Sequence, residues 1–225
     1  MQTIHGPDAV LAVLNDPLFA VPPVPAAQAG VAWLRATVGR FSSGPAYERR
    51  RALSVAVLAA IPLAALRTSG STHPVQALAR AMGVQDDVVG LVRDVAQAYQ
   101  PGSGDDGRAD AAVGALVAVF GGRYDEPTAA RIGVLVQACA ATADLIDKAR
   151  RHPVEDVLRD QPPVPATRRC ALVTTTVGEL TIEAGEVVQV RLSGELAFGA
   201  GPRRCPGRAH ALALVEASRA EEAAA

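Results

Sequence analysis

Residues 127–151 give the longest uninterrupted helical reading in this chain. Pro127 opens the stretch, and Ile132, Leu135, Val136, Cys139, Thr142 and Ile146 recur at spacings of three and four, as one face of a helix requires. Shorter helical patterns precede it at 7–17, 27–38, 47–66, 73–82, 86–99 and 108–120, separated by Pro- and Gly-rich connectors such as 21–25 and 101–107. A further short helix is expected from Pro153 to Asp160, ended by Pro162, Pro163 and Pro165. Only then does the pattern change. Residues 171–192 are rich in Thr and Val, and 179–182 and 186–190, separated by Ala184 and Gly185, read as a strand pair. An Ala-rich helix is expected over 208–220, with 221–225 frayed. The predicted fold class is therefore mainly α with a small β-sheet.

At 225 residues, 49% hydrophobic and 20% charged, the chain is long enough for a substantial core. A split near the acidic Gly-rich loop would leave fragments with no self-sufficient architecture, so a single domain over 1–225 is expected. The net charge of -1 and the lack of a basic stripe interleaved with aromatics argue against nucleic acid as a partner. Cys139, Cys170 and Cys205 lie far apart, with no CxxC pair and no even count to suggest a disulfide framework. A reducing cytoplasm fits that usage. The N-terminus lacks a basic start followed by an apolar core, and the apolar run 52–66 is interrupted by Ser54 and Pro62, so neither a signal peptide nor a membrane association is expected.

Chemistry concentrates in 198–207. There Cys205 sits on a glycine-broken loop beside Arg203 and Arg204, just ahead of the last helical pattern, with Pro206 suited to its first position. Nearby cations and the positive end of a helix favour the thiolate, the form that ligates a metal. Gly201 and Gly207 would let a flat ligand approach the main chain. For an isolated cysteine the simpler reading is a buried thiol in a Gly/Pro loop.

The whole segment, however, resembles the heme-binding loop of the cytochrome P-450 family: Phe198, Gly201, Arg203, Cys205 and Gly207 stand at each fixed position of its pattern. The resemblance implies heme b (iron protoporphyrin IX) with Cys205 as proximal thiolate ligand, Phe198 beside the sulfur and Arg203 on a propionate. It continues upstream. Residues 160–169 look like the family's proline run followed by a propionate-binding arginine, here Arg169, and 179–190 look like the strand pair that follows. Residues 40–51 resemble the entry to the helix beside the heme, where Tyr47 and Arg51 occupy the positions of a histidine and an arginine that meet a propionate; four residues apart, they share one helical face.

Departures from the family pattern are equally specific. The acid and threonine that help deliver protons in the family align with Ala140 and Ala141, and Thr142 lies one position on, about 100° around the helix. A packing role for Thr142 is the simpler reading. The family's Glu three residues ahead of Arg becomes Asp156 ahead of Arg159, with Glu155 as another candidate partner. Only 193–197 separate the last strand from Phe198, the N-terminal sheet region is expected to be missing or curtailed, and the chain has about half the family's usual length. Reduced cover should weaken heme retention and control of its chemistry.

The resemblance implies an abridged cytochrome P-450-like heme domain performing an oxidative step of monooxygenase or peroxygenase type on a small organic molecule, as in secondary metabolism. Residues 138–142 would roof the distal pocket. A ferredoxin or flavoprotein would be the redox partner, docking near the arginines around Cys205, and a homodimer would cover apolar surface exposed by the shortening. The competing expectation is a heme-binding accessory protein without turnover.

Overall fold

A computed structural model describes residues 1–70 and 72–224. The chain packs as two compact units, one made of Met1–Pro22 with Arg151–Cys205, the other of Pro23–Arg150 with the segment from Pro206 onward.

The first unit is built on a four-stranded sheet in which β1 (Thr3–Ile4) runs parallel to β6 (Val187–Arg191), while β3 (Ala166–Ala171) pairs antiparallel with β6 and with β2 (Phe19–Ala20). Val188 and Val190, two apart on β6, are fully buried, as side chains on one face of a strand must be. Together with Ile4, Phe19, Ala171 and Leu192 they pack against Val10, Val13 and Leu14 of α1 (Pro7–Asn15).

The strands 179–182 and 186–190 do not pair with each other as the sequence suggests. Gly178, at φ +60°, allows a tight turn that pairs β5 (Leu180–Ile182) with β4 (Thr175–Val177). The Ala184-Gly185 turn instead hands β6 to β3, with Gly185 N–H donating to the Ala171 carbonyl at 2.7 Å and register running from Ala166 opposite Arg191 to Cys170 opposite Val187. The N-terminus supplies two short strands where the sequence pattern suggested none. The short helix α9 (Val154–Asp160) forms as expected.

The second unit is helical: α2 (Gly30–Thr37), α3 (Gly44–Ala59), α4 (Leu63–Arg67), α5 (Pro74–Ala81), α6 (Val89–Ala98), α7 (Asp106–Val119), α8 (Glu126–Ala149) and α10 (Arg208–Ala224). The helix expected over 47–66 breaks, because Pro62 has no N–H to continue it and disfavours helical backbone in the residue before; α4 restarts after it. At its other end α3 begins earlier than expected, with Pro45 in its first turn. The terminal helix continues through 221–224 instead of fraying, since Glu216 pairs with Arg67 at 2.6 Å and Glu222 with Arg150 at 2.7 Å; Ala225 lies outside the described residues.

The long helix α8 is set by local chemistry at its start. The Asp125 carboxylate accepts from Thr128 N–H at 2.9 Å, a hydrogen bond that holds its pKa below the usual range. Glu126 receives Arg49 at 2.7 Å and Arg50 at 2.9 Å, which tie α3 to α8 and lower its carboxyl to a pKa of about 2. Leu116, Ile132 and Leu135 are fully buried in the surrounding core. Among the described residues α8 is the one helix long and apolar enough to cross a membrane, but 56% of its apolar stretch is buried inside the protein, as in a core helix.

Candidate heme site

The segment after β6 is folded by its own backbone. Gly199 N–H donates to the Leu196 carbonyl at 2.8 Å, Arg204 N–H to Gly201 at 3.1 Å, and Cys205 N–H to Phe198 at 2.8 Å. Gly199 and Gly201 make this path possible, with φ of +71° and +63°. Phe198, Gly201, Arg203 and Cys205 are thus brought into one closed loop of the first unit. Phe198 and Arg203 are half-buried, and Cys205 is exposed at the loop's end and in no disulfide.

The other two cysteines sit differently. Cys139 is buried in α8, where desolvation pushes its thiol pKa up, and Cys170 lies on β3 with Sγ 3.5 Å from the Gly185 carbonyl. Burial keeps the Cys139 thiol neutral and inert, whereas Cys170 is half-buried. Of the three, Cys205 is the exposed one.

Two glycine roles differ from those read in the sequence. A Cβ on Gly201 would come within 2.4 Å of Asn15 Oδ1 and 3.1 Å of the Leu14 carbonyl, so the close approach there is made by the end of α1. Gly207 carries the carbonyl that accepts from Ala211 N–H at 2.9 Å, the first bond of α10, which makes it the N-cap and places Pro206 in the preceding turn.

Arg169 is buried on β3 at 5% exposure, and its Nη1 donates to Thr167 Oγ1 at 3.1 Å and to the Arg168 carbonyl at 2.9 Å. Tyr47 and Arg51 both lie in α3, one turn apart. Arg159 pairs with Asp156 at 2.6 Å and with Asp160 at 3.0 Å, so the shorter Asp156 side chain does reach across one turn; Glu155 is not the carboxylate in either pair. Thr142 is 6% exposed within the second unit, whereas Ala140 is exposed and Ala141 half-buried on α8. The alcohol therefore lies on the packed side of the helix and the two alanines on its more open side.

The donor set suits heme. An exposed thiol is a group able to serve as a single axial ligand, and Arg203 and Arg169 are guanidinium groups able to bind carboxylates in a bidentate way. Asn15 is the neighbour that sequence reading missed, since nothing local links position 15 to position 201.

No protein-family model and no curated protein matches this sequence. Solved structures do. A thermophilic cytochrome P-450 from Sulfolobus tokodaii superposes with a TM-score of 0.73 at 17% identity, over 98% of this chain and 85% of that one. CalO2 gives 0.70 at 18% identity, over 97% and 81%. The BioI cytochrome P-450, solved with hexadec-9Z-enoic acid ligated acyl carrier protein, gives 0.67 at 17% identity, over 98% and 84%. With its mainly helical build and small sheet, this chain has the cytochrome P-450 fold.

Proposed function

We propose that this chain is a heme-thiolate protein in which Cys205 ligates the iron of heme b and which carries out an oxidative step, of monooxygenase or peroxygenase type, on a small organic metabolite. The observation that carries the reading is the closed loop from Phe198 to Cys205, which ends in an exposed cysteine in a chain of cytochrome P-450 fold. When bound, thiolate-ligated heme supplies an electron-rich iron that favours cleavage of an O–O bond. The protein's own part is to hold and orient it. Cys205 supplies the ligand, Arg203, Arg169 and Arg51, with Tyr47, neutralise and hold the propionates, and residues 1–225 act as one heme domain. A ferredoxin or flavoprotein supplies electrons by docking near the arginines around Cys205, in a cytoplasmic setting, and a homodimer covers apolar surface left by the shortening.

A second reading, a heme-binding accessory protein without turnover, is favoured by α8. Ala140 and Ala141 hold no transferable proton, and Thr142 is turned into the packing. Heme titration of the purified chain, followed by assays of peroxide-driven and reductase-driven turnover on candidate metabolites, separates the two. Heme uptake with oxidation supports the enzyme; heme uptake without either reaction supports the accessory protein; no heme uptake overturns both.

A further inference from the structure

Arg40, in the 3-10 turn Gly39–Phe41 of the second unit, is exposed and has no carboxylate partner among the described residues. Arg49 and Arg50, nine and ten residues further on, are committed elsewhere, as both meet Glu126. The Arg40 guanidinium carbon instead lies 5.6 Å from the Phe41 ring centre and 5.9 Å from that of Tyr99, and those two rings meet edge to face at 5.3 Å. Tyr99 is 6% exposed, yet its hydroxyl has no hydrogen-bond partner. Burial pushes the phenol pKa up against the opposing influence of the Arg40 charge, so the hydroxyl stays a donor at neutral pH. A buried hydroxyl left unsatisfied is a feature that calls for a partner.

We propose that Arg40 and Tyr99 form an anchor for the carboxylate of an organic monoacid, the guanidinium binding its oxygens, the phenol donating to one of them, and Phe41 offering an apolar face to the ligand body. The inference rests on the reading that this chain takes a small organic molecule, and it narrows that class to acids. A single guanidinium balances the one charge of a planar carboxylate, whereas a phosphate dianion, though its oxygens also suit the guanidinium fork, would keep one negative charge unbalanced. The Arg40 stem is flexible and exposed, so the guanidinium can turn off the rings to meet the ligand while the Tyr99 ring stays fixed in the core.

The test is equilibrium dialysis of phenylacetate and phenylacetamide against heme-loaded wild type, Arg40→Gln, Arg40→Lys, Tyr99→Phe and Cys205→Ala, with thermal denaturation of each variant. The expected result is phenylacetate binding about tenfold tighter than the amide, the step expected when one charge-assisted hydrogen bond distinguishes two ligands. Arg40→Gln should abolish that preference, Arg40→Lys should keep part of it, and Tyr99→Phe should weaken phenylacetate binding without lowering the melting temperature. Equal binding of acid and amide to wild type, failure of phenylacetate to bind, or an unchanged preference in Arg40→Gln overturns the proposal; unchanged binding in Tyr99→Phe removes Tyr99 from it. Cys205→Ala keeps the preference if the anchor is real. A thiolate-type ferrous carbon monoxide band that persists in Cys205→Ala with the preference intact therefore fails the heme reading alone.

Discussion

Cys205 donates its backbone N–H to the carbonyl of Phe198 at 2.8 Å, which closes the loop between them and leaves the thiol exposed at its end. The bond fixes where the sulfur emerges without using the sulfur itself. Loop shape and ligand chemistry are thus separable, and variants can perturb one without the other.

Gly201 is the position where the loop shape is most constrained. Its φ of +63° is unfavourable for residues with a Cβ, and that Cβ would stand 2.4 Å from Asn15 Oδ1. Gly201→Ala should destabilise the protein by about 1–3 kcal/mol in urea denaturation. Adding Asn15→Ala should recover the part due to the clash but not the part due to the backbone, so the double variant should fall between Gly201→Ala and Asn15→Ala.

Acid sensitivity should trace in part to Glu126. Its folded-state pKa of about 2 is depressed from 4.5, first by the hydrogen bond from Arg49 and also by Arg50. A depressed carboxylate contributes stability that is present above the unfolded value and lost as pH falls through the folded one. Urea midpoints should therefore drop between pH 4.5 and about 2 in wild type. Glu126→Gln should lose about 1 kcal/mol at neutral pH and show a shallower acid drop.

Helix α2 begins on a borrowed cap. Val31 N–H donates to Asp110 Oδ1 at 2.7 Å from α7, and Gly30, at φ +66°, leaves the room that this carboxylate occupies. Asp110→Ala should cost about 1 kcal/mol, the usual scale for a lost N-cap, and Asp110→Asn, which keeps an acceptor, should cost less. Thermal denaturation of the pair checks both.

Much of the helical architecture was legible because its signals are local. Pro127 at the start of the 127–151 pattern marks α8 to within a residue or two, and the Asn-Asp-Pro ending marks α1. Pro62 carried the signal for the break after α3, but the apolar pattern on either side of it masked the stop. The sheet was harder, since the same Thr- and Val-rich stretch fits two pairings. Which one forms depends on the match of β6 with β3 across the Ala184-Gly185 turn, and on the short N-terminal strands that complete the sheet.

The site divides in the same way. The cysteine loop is a contiguous run of residues whose spacing can be read directly, and its glycines do make the turns. Contacts such as Gly201 with Asn15, Val31 with Asp110 and Tyr99 with Arg40 join distant positions through packing, which no local pattern encodes. Thr142 was placed by its helical angle, about 100° from Ala141, and its burial agrees with a packing role.

That burial gives a further expectation. Thr142→Val keeps the shape and removes the hydroxyl, so heme-loaded Thr142→Val should consume peroxide within about threefold of wild type, a loss below 1 kcal/mol in barrier terms. A loss of about a hundredfold, the scale of general acid–base catalysis, would instead make the hydroxyl part of proton delivery.

The central claim is that Cys205 is the iron ligand. Its most direct test is the ferrous carbon monoxide spectrum of the heme-reconstituted wild type and of Cys205→Ala, with circular dichroism confirming that both remain folded. Ligation by Cys205 predicts a thiolate-type band in wild type that is absent in Cys205→Ala. A wild-type protein that binds no heme, or a thiolate-type band that persists in Cys205→Ala, would contradict it.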